Sequence, residues 1–517
     1  MRERVGFRAA ALAIVALAAA LRFWALDLGL PHPLARPDEE VVLAQTEAPA
    51  RGQVLLDWSI YPSAYVDLTW AWGAAGLRAG ERLGCFPPGD YLSALREHPE
   101  RLILVNRVLS AAAGTATVAL VIAVARAALG PAAALVSGTL LATSFLHARD
   151  SHAAKPDALL ALGVLASLWA MAPLARGATL RRAAVAGVTV GLTLAVKYPA
   201  VILLVPAYAA AVMGSPARGW WRLMPVAAVV VGVTAAVVFL ATSPSLVLNP
   251  RSHEGIAMQL GAILPSSAEH PWWSGFAYHA RFSLRYGAGL AATLLAPVAV
   301  VWGAASRRRL PVLAAVFALA YFVVNGISPV NLARYMTPLL PVLALLEGGL
   351  LAAVLARRPL ALIAATLVLV AEPLASAVAH DRIAARTDTR VLATRWMAEH
   401  LPRGAQVEVL GTRFWVYGIP QMPPGIDARH AAPEPAALAA AGVGYLLTHD
   451  HPLPFSHLDP EVMERLAGRL HLLADFDPFV GDGAGAVFEP ADAYYIPFHG
   501  FAAVERPGPH VRIYALR

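Results

Sequence analysis

The stretch "LTLAVKYPAVILLVP" (residues 192–206) places one lysine, Lys197, between two apolar runs. Pro199 cannot donate a backbone hydrogen bond and interrupts a helix, so the stretch predicts two short membrane helices that meet near Lys197. An ammonium group at this depth must face water, a partner or an anionic ligand. A lysine that snorkels to the membrane interface is the alternative. Lys155 is the only other lysine, and the remaining basic residues of the 41 are arginines.

The composition indicates a polytopic membrane protein. Of 517 residues, 58% are hydrophobic and 15% are charged, whereas soluble domains average about 45–50% apolar and about 25% charged residues. A membrane helix needs about 20 apolar residues. Eleven apolar runs therefore predict about eleven membrane helices: 9–26, 102–125, 128–146, 158–175, 183–196, 200–214, 223–242, 286–306, 310–327, 335–356 and 359–379. Cys85 is the only cysteine, which excludes an intramolecular disulfide.

The loops between these runs differ in charge. Arginines cluster in alternate loops: Arg2, Arg4 and Arg8; Arg126; Arg176, Arg181 and Arg182; Arg218 and Arg222; Arg307, Arg308 and Arg309; Arg357 and Arg358. Because positive loops stay in the cytoplasm, the N-terminus is predicted to be cytoplasmic. Loops 27–101, 147–157 and 243–285 and the chain after 379 are then outside. The net charge of +7 reflects this topology, and we expect no nucleic-acid partner.

The first run has a second interpretation. The segment "MRERVGFR" (1–8) is charged in the way that begins a signal peptide. No small-residue cleavage site follows, so a retained membrane helix is the stronger prediction, with Arg22 snorkelling to the outer interface. The Ala-, Arg- and Pro-rich composition suggests a GC-rich genome. Together with the type of tail described below, it suggests a bacterial host, which makes the inner membrane the predicted location and the periplasm the outer side.

Ionisable residues collect on the predicted outer face. They come from four segments: "HPLARPDEE" (32–40), "LILVNRVLS" (102–110), "FLHARDSHAAKPDALL" (145–160) and "NLARYMTPLLP" (331–341). Charge beside a membrane usually forms a solvated rim, which we expect for Glu40 and Asp150. Asp38 and Asp157 each follow a proline that fixes the local backbone, and Arg107 lies within an apolar run. These three are candidate site residues.

Such a surface suits a phosphate carried by a lipid. Arginine binds phosphate oxygens with forked hydrogen bonds and lysine binds them as a point charge. Sugar transfer from a lipid phosphate needs one carboxylate that accepts the proton of the acceptor hydroxyl, and Asp38 or Glu39 can supply it. The chain has no histidine pair at the spacing of zinc proteases, no Walker loop and no GxGxxG loop.

Six segments, in this order, resemble the GT-C class of membrane glycosyltransferases: "RPDEE", "YPSAYVDL", "NRVLSAAAGTATVAL", "SHAAKPDALL", "GLTLAVKYPAVILLVP" and "ARYMTPLLPVLAL". Within that class the likeness is to protein mannosyltransferases and bacterial lipid-A aminoarabinose transferases, over about residues 1–379. It implies an α-helical polytopic fold with a polyprenyl- or dolichyl-phosphate sugar as donor. It also implies an inverting transfer to a lipid, glycan or protein acceptor.

The resemblance implies roles for acids and cations. Asp38 would be the catalytic base with Glu39 beside it, and Asp157 would be a second acid. Four cations would bind the donor phosphate or organise the loops around it: Arg107, Lys155, Lys197 and Arg334. Among these, Lys155 departs from the usual family pattern, in which a small or neutral residue precedes "PD", and this departure suggests an extra donor contact or a different sugar.

Other side chains on the same face are further candidates, namely His152, Tyr198 and Tyr335. Some relatives of this class use a divalent metal and others do not. His32, His147 and His152 are either metal ligands or surface histidines. The resemblance therefore implies no required cofactor and leaves a divalent metal as an alternative.

The chain after about residue 380 predicts a separate periplasmic α/β domain. Its pattern alternates between helices 388–400, 434–441 and 459–468 and strands 406–410, 443–448, 470–475 and "HVRIYALR" (510–517). Its start (388–407) and its end (506–514) resemble the outer-face tails of bacterial relatives. We interpret this domain as an acceptor-handling or stabilising lid. The cluster "THDHPLPFSH" (448–457) could bind a metal, although a solvated loop is the simpler interpretation.

Two acids lie inside apolar runs, Glu347 and Glu372. Acids in membrane helices often mark a transport path, so they introduce an alternative class, a lipid or sugar transporter or flippase. The chain lacks an internal repeat of the kind that transporters have. Its charges also concentrate on one face instead of along a pore. The sequence therefore favours the transferase, with the transporter and an inactive protein of the same fold as alternatives.

Overall fold

A computed structural model describes residues 2–56, 58–215, 220–254, 257, 271–411, 416–429, 434–492 and 495–516. The chain forms two compact units. The membrane unit comprises residues 1–26 and 41–377, and the tail unit comprises residues 27–40 and 378–517. The loop that carries Asp38 and Glu39 thus belongs to the tail unit. Arg218, one of the predicted cytoplasmic arginines, lies outside the described residues.

Helices dominate the structure as far as residue 384. They span Arg2–Phe23, Glu39–Gln45, Glu47–Ala50, Ser63–Arg82, Tyr91–Glu97, Pro99–Ala128, Pro131–Thr143, Phe145–Asp150, Asp157–Arg176, Leu180–Leu194, Leu204–Gly214, Trp220–Thr242, Ser245–Leu248, Ser274–Tyr278, Arg285–Gly287, Leu290–Ala304, Arg309–Gly326, Leu340–Leu355 and Pro359–Ala384. Tyr198–Leu203 and Ala333–Leu339 are 3-10 turns, and His279–Leu284 is a turn of π-helix.

Several of these helices can cross a membrane. Among the described residues, six helical stretches are long and apolar enough: Val5–Phe23, Pro99–Ala128, Asp157–Arg176, Arg309–Gly326, Ala333–Leu355 and Pro359–His400. The bent pair Ser274–Gly287 and Leu290–Ala304 would make a seventh span, and three shorter apolar helices cover Pro131–Thr143, Tyr198–Gly214 and Val226–Thr242. The helical polytopic class is therefore confirmed, while the number of eleven spans stays a prediction.

The helix break predicted at Lys197 is present. The helix Leu180–Leu194 ends shortly before it, and Lys197 itself has an extended backbone with φ −158° and ψ 135°. Pro199 is the second residue of the turn that follows, Tyr198–Leu203. Proline suits the first turn of a helix, where its missing N–H has no intrahelical partner to lose. The break therefore presents Lys197 between two helical segments.

Arg22 is fully buried in the membrane unit. Its guanidinium donates to the backbone oxygens of Ala142 at 3.1 Å and Leu141 at 3.0 Å and lies 2.9 Å from Nδ1 of His147. The prediction that Arg22 snorkels to the interface is therefore wrong. Because a buried charge requires hydrogen-bond partners, these contacts fix the end of the first helix within the unit.

The tail unit contains five strands: β1 Gln406–Leu410, β2 Asp427–Arg429, β3 Tyr445–Asp450, β4 Leu470–Phe476 and β5 His510–Leu516. They form one mixed sheet in the order β2-β1-β3-β5-β4. β1 pairs in parallel with β2 and β3, and β5 pairs antiparallel with β3 and β4. Its helices span Thr389–His400, Pro435–Ala440 and Pro460–Leu466. The small α/β fold predicted for the tail is confirmed, with β2 as a strand that the sequence pattern does not predict.

The sheet packs against the helix Thr389–His400. Met397 of that helix is fully buried, together with Val407 of β1 and Val511 and Ile513 of β5. Val511 and Ile513 are buried at alternate positions of β5, as expected for a strand with one face on a core. Each such side chain contributes about 1.5–3 kcal/mol by burial. The start and the end of the tail thus share one core.

Candidate functional site

In the membrane unit, Lys197 and Asp157 form a buried ion pair. The Nζ of Lys197 lies 2.8 Å from Oδ1 of Asp157, and the two side chains are 10% and 4% exposed. The same ammonium lies 5.8 Å from the centroid of the Tyr335 ring, within cation–π range. Three of the candidate residues therefore lie together. Because a buried charge is tolerated when it is paired, Asp157 explains how this apolar region accommodates Lys197.

Each of these side chains stands at a helix end or in a tight turn. Asp157 opens the helix Asp157–Arg176, where the helix dipole favours a negative charge. Lys197 precedes the turn Tyr198–Leu203, and Tyr335 lies in the turn Ala333–Leu339. Three segments that are distant in the sequence therefore converge on one ion pair.

Asp150 links the loop 147–157 to one of these turns. It is 3% exposed, so the expectation that it belongs to a solvated rim is wrong. Its Oδ1 accepts a hydrogen bond from Nη1 of Arg149 at 2.9 Å, and its Oδ2 accepts one from the Thr337 hydroxyl. Thr337 belongs to the same turn as Tyr335. The Asp150 carboxylate therefore fixes this loop next to the turn that carries Tyr335.

Two more candidate cations are buried in the membrane unit. Arg107 is fully buried and donates from Nη1 to the backbone oxygen of Leu26 at 2.7 Å. Lys155 is 2% exposed, and its backbone oxygen accepts a hydrogen bond from Ser110 Oγ at 3.2 Å. Arg107 and Ser110 both belong to the helix Pro99–Ala128. That helix therefore contacts the loop that contains Lys155.

The remaining candidates differ in their surroundings. Arg334 is half-buried in the turn that carries Tyr335. The ring of Tyr198 packs edge-on against Phe239, with ring centroids 6.2 Å apart, and so contacts an apolar neighbour. His152 is 1% exposed. The surface interpretation of the three candidate histidines is wrong, because His32 and His147 are buried as well.

The two acids of the apolar runs have separate environments. Glu372 forms an ion pair with Arg285, and its Oε2 accepts a hydrogen bond from the backbone N–H of Leu290 at 2.8 Å. Glu347 is 4% exposed and borders a cavity of about 20 Å³. Glu372 thus has an ordinary structural role at the start of the helix Leu290–Ala304.

In the tail unit, Asp38 has a left-handed backbone with φ +69°. This conformation is uncommon for residues other than glycine, although Asp and Asn adopt it more readily than most. Glu39 follows it, is 1% exposed and begins the helix Glu39–Gln45. Strained conformations of this kind occur at functional sites and persist only where the surrounding structure holds them. The contacts that hold Asp38 therefore matter for any role of its carboxylate.

Tyr417 contacts both ends of the acidic segment 38–40. Its hydroxyl donates to Oε1 of Glu40 and accepts a hydrogen bond from the backbone N–H of Asp38. Burial raises the pKa of Tyr417, and the hydrogen bond from its hydroxyl to Glu40 and the charges of Glu40 and Asp38 raise it further. The phenol therefore stays protonated and remains a donor. Glu40 is half-buried, so the expectation that it belongs to a solvated rim is wrong.

His32 connects the segment 27–40 to Ile419, in the later part of the same tail unit. Its Nδ1 accepts a hydrogen bond from the backbone N–H of Leu34 at 3.1 Å, so its Nε2 carries the proton and donates to the backbone oxygen of Ile419 at 2.8 Å. Burial, followed by the charge of Arg390, lowers the pKa of His32 to about 4. The ring is therefore neutral at neutral pH, and protonation of Nδ1 would break the contact with Leu34.

Arg390 lies at the centre of these contacts and is 1% exposed. Its Nε and Nη2 donate to the two carboxylate oxygens of Asp388, at 2.9 Å and 2.7 Å. Its Nη1 donates to the backbone oxygens of Leu34 and Tyr417, and Nη2 donates to that of Ala35 at 3.4 Å. Burial alone would raise the pKa of Asp388, but the charge and hydrogen bonds of Arg390 outweigh it and lower the pKa.

Two buried histidines lie near this arginine. His449 is fully buried and His451 is 5% exposed, so the interpretation of "THDHPLPFSH" as a solvated loop is wrong for both. The His451 ring packs against Phe479, Phe488 and Tyr495, at centroid distances of 5.3, 4.5 and 5.0 Å. Burial, followed by the charge of Arg390, lowers the pKa of His449 to about 4 and that of His451 to about 3. Both rings are neutral parts of a core.

Sequence reasoning did not identify Asp388, Arg390 or Tyr417 as neighbours of the acidic loop. A signal was present, because the two tail segments that carry the family likeness contact each other. The hydroxyl of Thr389 donates to the backbone oxygen of Pro509 at 2.6 Å. Gly508 has φ +109°, and a Cβ there would lie 2.6 Å from Oδ1 of Asp388. Glycine is therefore required where the end of the chain meets Asp388.

Comparison with protein families gives one match within the chain. Residues 100–247 match the model of the family described as dolichyl-phosphate-mannose-protein mannosyltransferase. This segment contains Arg107, Lys155, Asp157 and Lys197. No curated protein matches the sequence. The match therefore covers the part of the membrane unit where most of the candidate residues lie.

Solved structures show the fold of the whole chain. The apo crystal structure of the Archaeoglobus fulgidus oligosaccharyltransferase is similar with 11% identity and a TM-score of 0.55, over 99% of this chain and 88% of that one. The oligosaccharyltransferase AglB from the same organism, in complex with an inhibitory peptide and a dolichol-phosphate, is similar with 11% identity and a TM-score of 0.54, over 99% of this chain and 89% of that one. ArnT from Cupriavidus metallidurans in the apo state is similar with 16% identity and a TM-score of 0.50, over 98% of this chain and 97% of that one. The chain therefore has the fold of GT-C glycosyltransferases, as the sequence predicts.

Proposed function

We propose that the protein is an inverting glycosyltransferase that moves a sugar from a polyprenyl-phosphate donor to an acceptor hydroxyl on the periplasmic face of the inner membrane. The observation that carries this proposal is the family match over residues 100–247, since it contains six of the candidate residues on a chain with the GT-C fold. A dolichol-phosphate accompanies one of the similar structures. That ligand supports a lipid phosphate as the donor class.

Asp38 is the proposed catalytic base, with Glu39 beside it. As the acceptor oxygen attacks the anomeric carbon from the face opposite the phosphate, its proton moves to the Asp38 carboxylate. The bond from the anomeric carbon to the phosphate oxygen breaks, and polyprenyl phosphate leaves with that electron pair. Phosphate is a good leaving group, so base catalysis at the acceptor, which typically contributes about 10²–10⁴-fold, is the main chemical task of the side chains.

The candidate cations of the membrane unit are proposed to bind the donor phosphate. Lys197 is already oriented by Asp157 at 2.8 Å, which leaves two of its three N–H donors for other partners. Arg107, Lys155 and Arg334 are proposed to contribute further positive charge. In this arrangement Asp157 acts through Lys197, because its carboxylate fixes the ammonium instead of reacting with the sugar.

The finer features of the proposal follow the sequence analysis. Eleven spans place the N-terminus in the cytoplasm and the tail unit in the periplasm, and the acceptor is a lipid, a glycan or a protein. The proposed reaction requires no cofactor, because proton transfer and departure of a phosphate are within reach of carboxylates and cations. Turnover in excess EDTA tests this point directly: unchanged rates support it, and abolished rates that Mg²⁺ or Mn²⁺ restores would contradict it.

The test of the proposed function is a donor panel. Purified protein in liposomes is given polyprenyl phosphates that carry different sugars, and the release of free polyprenyl phosphate is measured with the acceptor class varied in parallel. Release with one donor supports the transferase and identifies the sugar. If no donor releases polyprenyl phosphate while labelled donor crosses the bilayer, the protein is a transporter and the proposal fails.

A further inference from the structure

We infer that Arg390 is a positioning residue for the segment 34–40, which carries the proposed base Asp38. Residues 378–517 of the tail unit would then set the geometry of that carboxylate. This inference rests on the proposed role of Asp38. It assigns the tail a task that differs from acceptor binding and from a lid. The contacts of Arg390 that support this role lie inside the tail unit, which contains residues 27–40 and 378–517 together.

The guanidinium of Arg390 contacts the backbone that precedes Asp38. Arg390 donates to the backbone oxygens of Leu34 at 3.1 Å and Ala35 at 3.4 Å, shortly before Asp38 in the sequence. Backbone oxygens accept hydrogen bonds whatever the side chain, so these contacts fix the path of the chain. A buried arginine offers five N–H donors in a rigid fork. With that fork, Arg390 holds the backbone at Leu34 and Ala35, which leads into Asp38.

Tyr417 connects Arg390 to Asp38. Its backbone oxygen accepts a hydrogen bond from Arg390, while its hydroxyl contacts the backbone N–H of Asp38 and the carboxylate of Glu40. The loop is therefore held on both sides of Asp38, by Arg390 before it and by Tyr417 after it. Such two-sided support is what a residue with φ +69° requires to persist.

Arg390 is itself held in place by neighbours in the tail unit. Asp388 binds it through two parallel hydrogen bonds, and the centre of its guanidinium lies 4.9 Å from the centroid of the Tyr495 ring. The Thr389 hydroxyl donates to the backbone oxygen of Pro509, and Gly508 lies close against Asp388, so the end of the chain also anchors this segment. The arginine is therefore pre-organised by the folded tail and does not depend on the loop for its position.

The experiment is a double-mutant cycle between Arg390→Lys and Asp38→Asn. Lysine keeps the charge beside Asp388 but loses the fork that reaches Leu34, Ala35 and Tyr417. We expect kcat for polyprenyl-phosphate release to fall about 100-fold, since a misplacement of about 1 Å costs about that much, with KM for the donor nearly unchanged. In the Asp38→Asn background the same substitution should have no further effect, because the group that it positions is gone.

Arg395→Lys is the matched control, because Arg395 lies on the same helix and is exposed. It should leave kcat and KM as in the wild type. A purely structural role of Arg390 predicts a different result: the effects of Arg390→Lys and Asp38→Asn would multiply. Multiplicative effects, or an equal loss in kcat and in donor affinity, would overturn the inference.

Two further measurements keep the outcome decisive. If Arg390→Lys does not fold, Tyr417→Phe replaces it in the cycle, because it removes one oxygen and keeps the ring. If the wild type releases no polyprenyl phosphate, the proposed function fails on its own, and hydrogen exchange of amides 34–40 then tests the positioning contacts. Faster exchange in Arg390→Lys than in Arg395→Lys supports the inference, and equal exchange contradicts it.

Discussion

Two of the candidate acids, Asp157 and Asp38, are held in different ways. Asp157 in the membrane unit is fixed by one side chain, Lys197, forty residues further along the chain. The backbone that leads into Asp38, in the tail unit, is held by Arg390, which contacts Leu34 across 356 residues of sequence. The comparison shows that Asp157 depends on a paired charge, whereas Asp38 depends on support of the backbone around it. We therefore expect the role of Asp157 to respond to changes of charge at Lys197. We expect the role of Asp38 to respond to changes in the side chains that hold the backbone around it.

The Lys197–Asp157 pair should show the largest effect of charge. Lys197→Met leaves a buried carboxylate without its cation, a change that typically costs about 3–5 kcal/mol, and we expect a clear fall in Tm together with loss of transfer. Adding Asp157→Leu removes the unpaired charge and should restore Tm. If Lys197 binds the donor phosphate, transfer stays about 100-fold or more below the wild type, on the order of 3 kcal/mol.

The contradicting outcome is equally clear. If the Lys197→Met/Asp157→Leu variant recovers both Tm and transfer, the pair is structural and does not bind the donor. Arg182→Met is a suitable control, since Arg182 is exposed on a helix of the same unit.

Tyr417→Phe tests the backbone support with a smaller change. It removes the hydroxyl that contacts Glu40 and the Asp38 amide and leaves the ring in place. A hydrogen bond to a charged group contributes about 1.5–3 kcal/mol, and only part of it acts on the position of Asp38, so we expect kcat to fall about tenfold. Rates from purified variant in liposomes, with Tyr445→Phe as control, decide the point. An unchanged kcat would show that Tyr417 does not support the loop.

The tail unit should be less stable in acid. His32, His449 and His451 have pKa values lowered to about 4, about 4 and about 3, because they are buried near Arg390. Above pH about 6.5 these histidines are neutral in both the folded and the unfolded chain. As pH falls from 6.5 towards 4, the unfolded chain binds protons that the folded unit does not, so the free energy of unfolding decreases.

Thermal unfolding between pH 7 and pH 4 measures this effect. His451→Phe should reduce the pH dependence, while His471→Gln, at an exposed position of β4, should not. A Tm that stays constant over this range would contradict the neutral, buried state of these rings.

Glu372→Gln should have the smallest effect on transfer. The Arg285–Glu372 pair is partly exposed, at 27% and 36%, and exposed ion pairs contribute about 0–1 kcal/mol. We expect polyprenyl-phosphate release within about twofold of the wild type, which is about 0.4 kcal/mol. A transporter that depends on this intramembrane acid would instead lose movement of lipid across the bilayer, and such a loss would favour the rival class.

Much of the fold could be predicted from the sequence, because it depends on local patterns. Apolar runs mark the helices, Pro199 marks the break at Lys197, and alternating residues such as Val511 and Ile513 mark a strand. The short strand β2 was missed, since Asp427–Arg429 has no apolar alternation to reveal it.

The site was predictable only in part, for a physical reason. Charges in apolar surroundings, such as Lys197 and Arg107, stand out in the sequence because burying a charge there costs free energy. The burial of Arg22 and Asp150 does not stand out, since the partners of Arg22 include backbone oxygens and those of Asp150 include a threonine hydroxyl. The support of Asp38 by Arg390 is hidden for the same reason, because backbone acceptors have no sequence signature.

The most direct test compares the wild type with Asp38→Asn at matched folding in liposomes, with Asp27→Asn, an exposed residue of the same loop, as control. The measured quantity is the single-turnover release of polyprenyl phosphate from the donor that the panel identifies. We expect the wild type and Asp27→Asn to release it at equal rates and Asp38→Asn to be slower by about 10²–10⁴-fold. Equal release by Asp38→Asn would show that Asp38 is not the base and would contradict the account.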